Sequence, residues 1–154
     1  MLDAIYINDT ALLLNAFAET VKTLGKLNLH DSNVHAENFF RDFLNTLMGW
    51  NLVNANATAL NEPGVDLVYA DDCRMVQVSS TTTKKKIQDS LDMTDKKKYA
   101  NYHFYFLAIG KDASRLGRKD YTVSNEFVFD STKDVWDINK LIAKMNDAPI
   151  ERKK

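Results

Sequence analysis

The strongest constraint on the fold is a strand-like stretch in the middle of the chain, residues 65–80. Its halves, VDLVYA and CRMVQVSS, alternate in polarity, contain β-branched residues and are separated by Asp71 and Asp72. This pattern predicts two strands joined by a hairpin turn. A turn centred on the two aspartates places Asp66 opposite Gln77, because the register is symmetric about the turn. Directly opposed side chains lie on one face of a sheet, about 5 Å apart.

The hairpin is followed by a helical pattern and then by a strand. Residues 83–92 predict a helix, and the apolar run YHFYFLAIG at 102–110 is typical of a central, buried strand. A hairpin followed by a helix and a further strand indicates an α/β domain, with a mixed β-sheet flanked by helices.

Two helices precede the hairpin. Residues 9–27 predict the first, and the second begins at Asp31 or Ser32, which can cap it, and ends before Gly49. The expected apolar rows are Leu13, Phe17, Val21 and Leu24 in the first helix, and Phe39, Phe43 and Leu47 with Phe40, Leu44 and Met48 in the second. A short strand and a loop follow in residues 50–64.

The C-terminal third completes the expected order, ααβββαββα. Residues 111–126 predict a loop, EFVFD at 126–130 a strand, and 131–145 a closing helix. The 154-residue chain suits one domain. We therefore expect a single domain over residues 1–148, followed by a flexible basic tail, 149–154.

Composition excludes several classes of protein and favours a cytoplasmic one. With 45% hydrophobic and 27% charged residues, the chain is neither disordered nor a coiled coil. The single cysteine, Cys73, cannot form an internal disulfide or a cysteine zinc site, which favours a reducing compartment. There is no signal-peptide pattern and no apolar run of ~18 residues, so we expect no membrane partner.

Charge gives no global attraction to nucleic acid, since the net charge is −1. Lysines nevertheless cluster at 84–86 and 96–98, with Arg152 beside two lysines at the C-terminus. Such patches can bind phosphates, although a solvated helix face and a frayed tail explain the same clusters.

Three polar residues stand among apolar neighbours. Asp66 and Gln77 share a face of the hairpin, and Glu37 lies in the phenylalanine-rich second helix. Carboxylate and amide oxygens, with water, are ligands that Mg²⁺ accepts. The pattern therefore suggests a metal site. The alternative is that Asp66 caps the Pro63-Gly64 turn and Gln77 hydrogen-bonds its neighbour.

The motif order helix-Glu, Gly-x-Asp-Leu, Gln-x-Ser and helix resembles the PD-(D/E)XK nuclease fold. That restriction-endonuclease-like fold has a core order αβββαβ, which fits residues 32–109 here. More narrowly, HAENFF, GVDL, QVSST and KKIQDSL resemble the SMEK domain of bacterial proteins. FVFDSTKDVWDINKL extends this resemblance over nearly the whole chain. The domain is often found at the N-terminus of larger, defence-related proteins.

The resemblance implies a role for each matching residue. Glu37 corresponds to the helix glutamate and Asp66 to the metal-binding aspartate, while Gln77 stands where the motif has Asp or Glu. Ser79 replaces the motif lysine, a departure that puts catalysis in doubt. Lys86, in the next helix, is the expected replacement.

The implied activity is hydrolysis of phosphodiesters, in DNA rather than RNA, by a Mg²⁺- or Mn²⁺-dependent nuclease of anti-phage defence. Ser79, Ser80 and Thr81 would hydrogen-bond the phosphate, and Lys84 and Lys85 would attract it diffusely. One alternative is an inactive nuclease-fold module that binds nucleic acid or a protein partner. Another is oligomerisation through the aromatic-rich helices 9–48, which is compatible with a homo-oligomeric nuclease.

Overall fold

The structure is a computed structural model that describes residues 2–26, 31–57 and 62–148. Within these residues, five strands form one open sheet in chain order: β1 (Val53–Asn54), β2 (Leu67–Tyr69), β3 (Arg74–Ser79), β4 (His103–Ala108) and β5 (Val135–Asp137). The pairs β1–β2 and β2–β3 are antiparallel, whereas β3–β4 and β4–β5 are parallel. The mixed sheet expected from the sequence is confirmed.

Helices cover both faces of the sheet. They are α1 (Leu2–Lys26), α2 (Asp31–Met48), α3 (Lys84–Met93), α4 (Ser131–Asp134) and α5 (Ile138–Asp147). One apolar cluster joins the sheet to α1, α2 and α5, and a second joins its other face to α3 and to the segment after β4. Within the described ranges, no helix combines the length and apolar character needed to cross a membrane.

The hairpin has the predicted register. Leu67 lies opposite Val76, and the following pairs keep the same symmetry about Asp71 and Asp72. The connection is a turn of 3₁₀ helix over the residues 70–72, after which Cys73 adopts a left-handed φ of 50°. This register brings Asp66, the residue before β2, to the position opposite Gln77.

The fifth strand is not where the sequence predicts it. Residues 126–130 form only an isolated bridge, between Val128 and His103. The expected helix at 131–145 is instead interrupted by β5, which pairs with β4. Asp137 then caps α5 by accepting a hydrogen bond from the Lys140 amide at 2.8 Å. A three-residue strand is too short to show a period of its own, so the helical pattern of α5 concealed it.

The first helix also differs from the prediction. It begins at Leu2 rather than residue 9, and Leu13, expected in the apolar row, is 68% exposed, whereas Leu14 is fully buried. Each of the consecutive leucines 12–14 could belong to the apolar face of the helix, and contact with the core buries Leu14. Leu27 and the side chains of Val21 and Leu24 lie outside the described residues, as does the tail 149–154. The single domain over 1–148 stays a prediction.

Candidate functional site

The polar residues predicted from the sequence meet at the carboxyl end of β3. A cavity of about 200 Å³ opens there. It is lined by Ala36, Glu37, Asp66, Gln77, Val78, Ser79, Ser80, Thr81, Lys86 and Ile109. Seven of the nine predicted site residues therefore line one cavity, and Lys84 and Lys85 are the two that do not.

Asp66 is fixed in position by three hydrogen bonds. Its amide donates to the carbonyl of Val76 at 2.9 Å, and its carbonyl accepts from the Ala55 amide at 2.8 Å. Its Oδ2 accepts a hydrogen bond from the Val78 amide at 2.8 Å. The carboxylate therefore caps the end of β3 rather than the Pro63-Gly64 turn, and its orientation is set by the sheet itself.

Glu37 approaches Asp66 from α2. The two carboxyl groups are close enough for each to affect the pKa of the other. Asn54 of β1 holds Glu37 in place, since its Nδ2 donates to Glu37 Oε2 at 3.3 Å and its Oδ1 accepts from the Asn56 amide at 2.8 Å. Sequence reasoning missed Asn54, because no motif or spacing links a β1 residue to a helix 17 positions earlier.

The two acids strongly perturb each other. Burial and the neighbouring charge of Glu37 raise the pKa of Asp66 to about 7, although the Val78 amide and the positive charge of Lys86 oppose the shift. Burial also raises the pKa of Glu37, against the hydrogen bonds from Asn54 and Asp66. Like charges in one buried site disfavour double ionisation. The pair therefore retains a proton near neutral pH unless a cation replaces it.

Gln77 lies on β3 and is largely buried beside the acids. Its Nε2 donates a long hydrogen bond, 3.4 Å, to the carbonyl of Val78. The sequence alternative in which Gln77 hydrogen-bonds its neighbour is therefore present. Gln77 also lines a second cavity of about 430 Å³, together with Glu37, Asp66 and Lys86. These four residues thus line both of two adjoining cavities.

The three lysines of α3 are not equivalent. Lys86 is half-buried and lines both cavities, whereas Lys84 and Lys85 are exposed. Thr83 caps the helix by accepting a hydrogen bond from the Lys86 amide at 3.1 Å. Ile87 begins the buried stripe of the helix, so Lys86 stands at the edge of that stripe, toward the acids.

Ser79 occupies the position where a nuclease motif carries lysine, and its hydroxyl is already engaged. The Oγ accepts from the Thr81 amide at 3.0 Å and donates to the Thr81 carbonyl at 3.1 Å. The turn at residues 79–81 packs closely against the residues that follow β4. This is shown by Gly110, where a Cβ would lie 2.3 Å from the Ser80 carbonyl oxygen. Ser79 therefore shapes the rim of the cavity and supplies no positive charge.

The donor set fits a hard divalent cation. Within the described part of the chain, no three His, Cys, Asp or Glu side chains are grouped so that they could hold a metal ion. The site offers two carboxyl groups and one amide, and Mg²⁺ is commonly held by one or two carboxylates while it keeps several waters. The mutual repulsion of Glu37 and Asp66 is what a cation between them would relieve.

Comparison with known proteins identifies the family. The family model of the SMEK domain matches residues 9–146, which include both acids, Gln77, Lys86 and the whole sheet. No curated protein and no solved structure matches the chain. The chain therefore belongs to the SMEK domain family.

Proposed function

We propose that the chain is a metal-dependent nuclease-like domain of the PD-(D/E)XK type, which hydrolyses DNA phosphodiesters as an effector of bacterial anti-phage defence. The observation that carries this proposal is the pair of interacting carboxyl groups of Glu37 and Asp66, which line a polar cavity together with Lys86. The elements from α2 to β4, read without the 3₁₀ turns, follow the order αβββαβ, which agrees with the core order of that fold.

The residues of the site have different roles in the proposed hydrolysis. Mg²⁺ or Mn²⁺, when bound, lowers the pKa of a water molecule and polarises a phosphoryl oxygen. Glu37 and Asp66 would hold the cation, and Gln77 would contribute its amide. The Val78 amide keeps the Asp66 carboxylate in one orientation. Lys86 stabilises the negative charge that develops on the phosphate oxygens.

Lys86 takes the role that the motif lysine has in related nucleases. It projects from α3 rather than from β3, and its charge reaches the same carboxylate, since it lowers the pKa of Asp66. Ser80 and Thr81 line the cavity in the loop between β3 and α3, where hydrogen bonds to a phosphate are available.

Cleavage assays with paired variants test the proposal. Supercoiled plasmid and single-stranded RNA are incubated with Mg²⁺, with Mn²⁺ or with EDTA. We expect Asp66→Ala to abolish metal-dependent cleavage, a loss of about 10³-fold or more, while the protein keeps a cooperative thermal transition. Asp147→Ala, which removes an exposed acid at the end of α5 and outside both cavities, is the matched control. Undiminished cleavage by folded Asp66→Ala protein contradicts the proposal.

A second candidate is a module of the same fold that has lost catalysis and binds nucleic acid or a protein partner. The engaged hydroxyl of Ser79, which stands in place of a motif lysine, favours it. This candidate predicts metal-independent binding of DNA with no cleavage by the wild-type protein.

Oligomerisation is compatible with either candidate. On α1, Leu12 is 71% exposed and Leu13 is 68% exposed, and Ile5 lies about two turns before them. We propose that this face pairs two copies of the chain. Light scattering coupled to size exclusion tests it: wild-type protein should be dimeric and Leu12→Lys monomeric, and a monomeric wild-type protein contradicts it.

A further inference from the structure

The segment that follows β4 concentrates basic side chains. Residues 111–121 contain four basic and two acidic residues, in a chain whose net charge is −1. The basic residues are Lys111, Arg115, Arg118 and Lys119. Apart from one short turn of 3₁₀ helix at 116–118, the segment has no regular secondary structure.

This segment is held in place by hydrogen bonds to its backbone. Ser131 Oγ donates to the carbonyls of Gly117 at 3.1 Å and Lys119 at 3.3 Å. The hydroxyl of Tyr121 donates to the Leu116 carbonyl at 2.9 Å. A segment fixed in this way presents its side chains from defined positions, which lowers the entropy lost when a ligand binds.

The same segment begins beside the candidate site and ends beside α3. It begins after Gly110, which packs against the carbonyl of Ser80 on the rim of the cavity. It ends at Tyr121, whose ring centroid is 6.0 Å from Lys84 Nζ at the start of α3.

A pair of hydrogen bonds fastens this end of the segment to α3. Gln88 Nε2 donates to the Thr122 carbonyl at 2.9 Å, and Gln88 Oε1 accepts from the Thr122 amide at 3.0 Å. The segment is therefore anchored next to the helix that supplies Lys86. The end of the segment that carries Tyr121 is thereby held beside Lys84 in the first turn of α3.

The basic side chains of the segment are weakly paired. Among the described residues, Arg115, Arg118 and Lys119 are exposed and form no salt bridge. Arg115 alone of these three contributes, after the Ser114 amide, to lowering the pKa of Asp112. Lys85, by contrast, pairs with Asp89 on the same helix. Exposed cations that are held in place but left unpaired are available to an anionic ligand.

We propose that Arg115, Arg118 and Lys119, with Lys84 and Tyr121, form a surface that binds the phosphate backbone of the nucleic acid entering the site. The inference rests on the proposed function, because it takes a polynucleotide as the ligand. Arg and Lys side chains grouped around a half-buried aromatic ring are typical of surfaces that track a nucleic-acid strand. The surface extends contact beyond the lysines of α3 to phosphates that flank the scissile bond.

Binding measured without metal tests this surface separately from catalysis. Fluorescence anisotropy with labelled 30-nucleotide single-stranded and duplex DNA is recorded in EDTA between 50 and 300 mM salt. For Arg118→Ala/Lys119→Ala we expect affinity to fall about tenfold or more. The slope of log Kd against log salt should fall by about 1.4 for single strands and 1.8 for duplex, as for two lost phosphate contacts.

Two further variants control for charge and folding. Lys96→Ala/Lys97→Ala removes two charges from the turn at the amino end of β4, away from the site, and should change affinity less than twofold. Arg118→Lys/Lys119→Arg keeps both charges and should restore most of the binding. Thermal melting confirms that each variant is folded.

The outcomes separate this inference from the proposed function. If Arg118→Ala/Lys119→Ala loses binding and Lys96→Ala/Lys97→Ala does not, the proposed binding surface is supported, even if no DNA is cleaved. Cleavage that depends on Asp66 but is accompanied by unchanged binding in Arg118→Ala/Lys119→Ala overturns the surface and leaves the function standing. Equal losses in both double-alanine variants, equal competition by a polyglutamate peptide, or no wild-type binding at 50 mM salt also overturn it.

Discussion

The parallel strands β3, β4 and β5 have polar side chains at both ends, but the two ends pair them differently. At the amino ends, Arg74 bonds to Asp72 and to the hydroxyl of Tyr105, and His103 Nε2 lies 2.8 Å from Asp134 Oδ1. The Arg74 guanidinium thus faces an acid and a hydroxyl, and the His103 ring lies against a buried carboxylate. The amino end therefore stabilises the fold.

At the carboxyl end of β3, two acids are placed against each other. Burial raises the pKa of both Glu37 and Asp66, and the neighbouring charge of Glu37 raises the pKa of Asp66 further. Lys86 moderates this repulsion from the side of the cavity without cancelling it. Such an arrangement destabilises the isolated protein and favours a bound cation, which is the behaviour expected of a functional site.

The largest predicted effect on stability belongs to the amino end. Asp134→Ala should lower the free energy of unfolding by about 3 kcal/mol, because the buried carboxylate has two partners that would be left unpaired. They are His103 and the Asp130 amide, which donates to Asp134 Oδ2 at 2.7 Å. Urea unfolding at pH 7 measures it. A change below 1 kcal/mol would mean that this end is not stabilised by pairing.

The opposite sign is predicted at the carboxyl end. Asp66→Asn keeps an oxygen for the Val78 amide and removes a charge that faces Glu37, so it should stabilise the protein by about 1–3 kcal/mol at pH 8. Urea unfolding under the same conditions gives the comparison with Asp134→Ala. Destabilisation by Asp66→Asn would show that the two ends do not differ.

The pH dependence of stability sharpens this contrast. The folded-state pKa of Asp66 is raised from 3.8 to about 7, so the folded protein binds the proton more tightly than the unfolded chain. The protonated carboxyl group of Asp66 therefore contributes to the free energy of unfolding in full below pH 3.8, and this contribution is lost as the pH rises toward 7. The advantage of Asp66→Asn over wild type should therefore grow between pH 5 and 8. If the difference in unfolding free energy between Asp66→Asn and wild type stays constant across this range, the pKa of Asp66 is not raised in the folded protein.

A smaller effect is predicted for the three lysines of α3, which should differ in whether they act on cleavage or on binding. Lys86→Ala should lower the cleavage rate at saturating DNA about 10- to 100-fold with little change in binding, since Lys86 acts on charge that develops at the phosphate. Lys84→Ala and Lys85→Ala should weaken binding a few-fold, and added salt should mask the loss. Single-turnover kinetics and anisotropy measure the two quantities. Equal, salt-dependent effects of all three substitutions would place Lys86 in a general basic patch.

The sequence was most informative where one local feature determines a long-range pairing. The acidic pair at 71–72 fixes the hairpin register, and that register alone brings Asp66 opposite Gln77. The buried strand at 102–110 and the helix after Thr83 were likewise predictable, because each has a long apolar pattern or a clear cap.

Features that depend on tertiary contacts could not be read in the same way. The contact between Asn54 and Glu37 joins β1 to α2, and neither residue has a pattern that points to the other. The choice of Leu14 over Leu13 depends on which side of α1 meets the rest of the core. β5 was missed because three residues are too few to show alternation beside the strong helical pattern of α5.

Calorimetric titration with Mn²⁺ tests the central claim most directly. Wild-type protein should bind the ion at the pair of Glu37 and Asp66, with an affinity that rises from pH 6 to pH 8 because the ion displaces the retained proton. Asp66→Asn should lose this binding, and Asp112→Asn, at an exposed acid, should retain it. Equal Mn²⁺ binding by wild type and Asp66→Asn, or no binding by wild type at pH 8, would contradict the account.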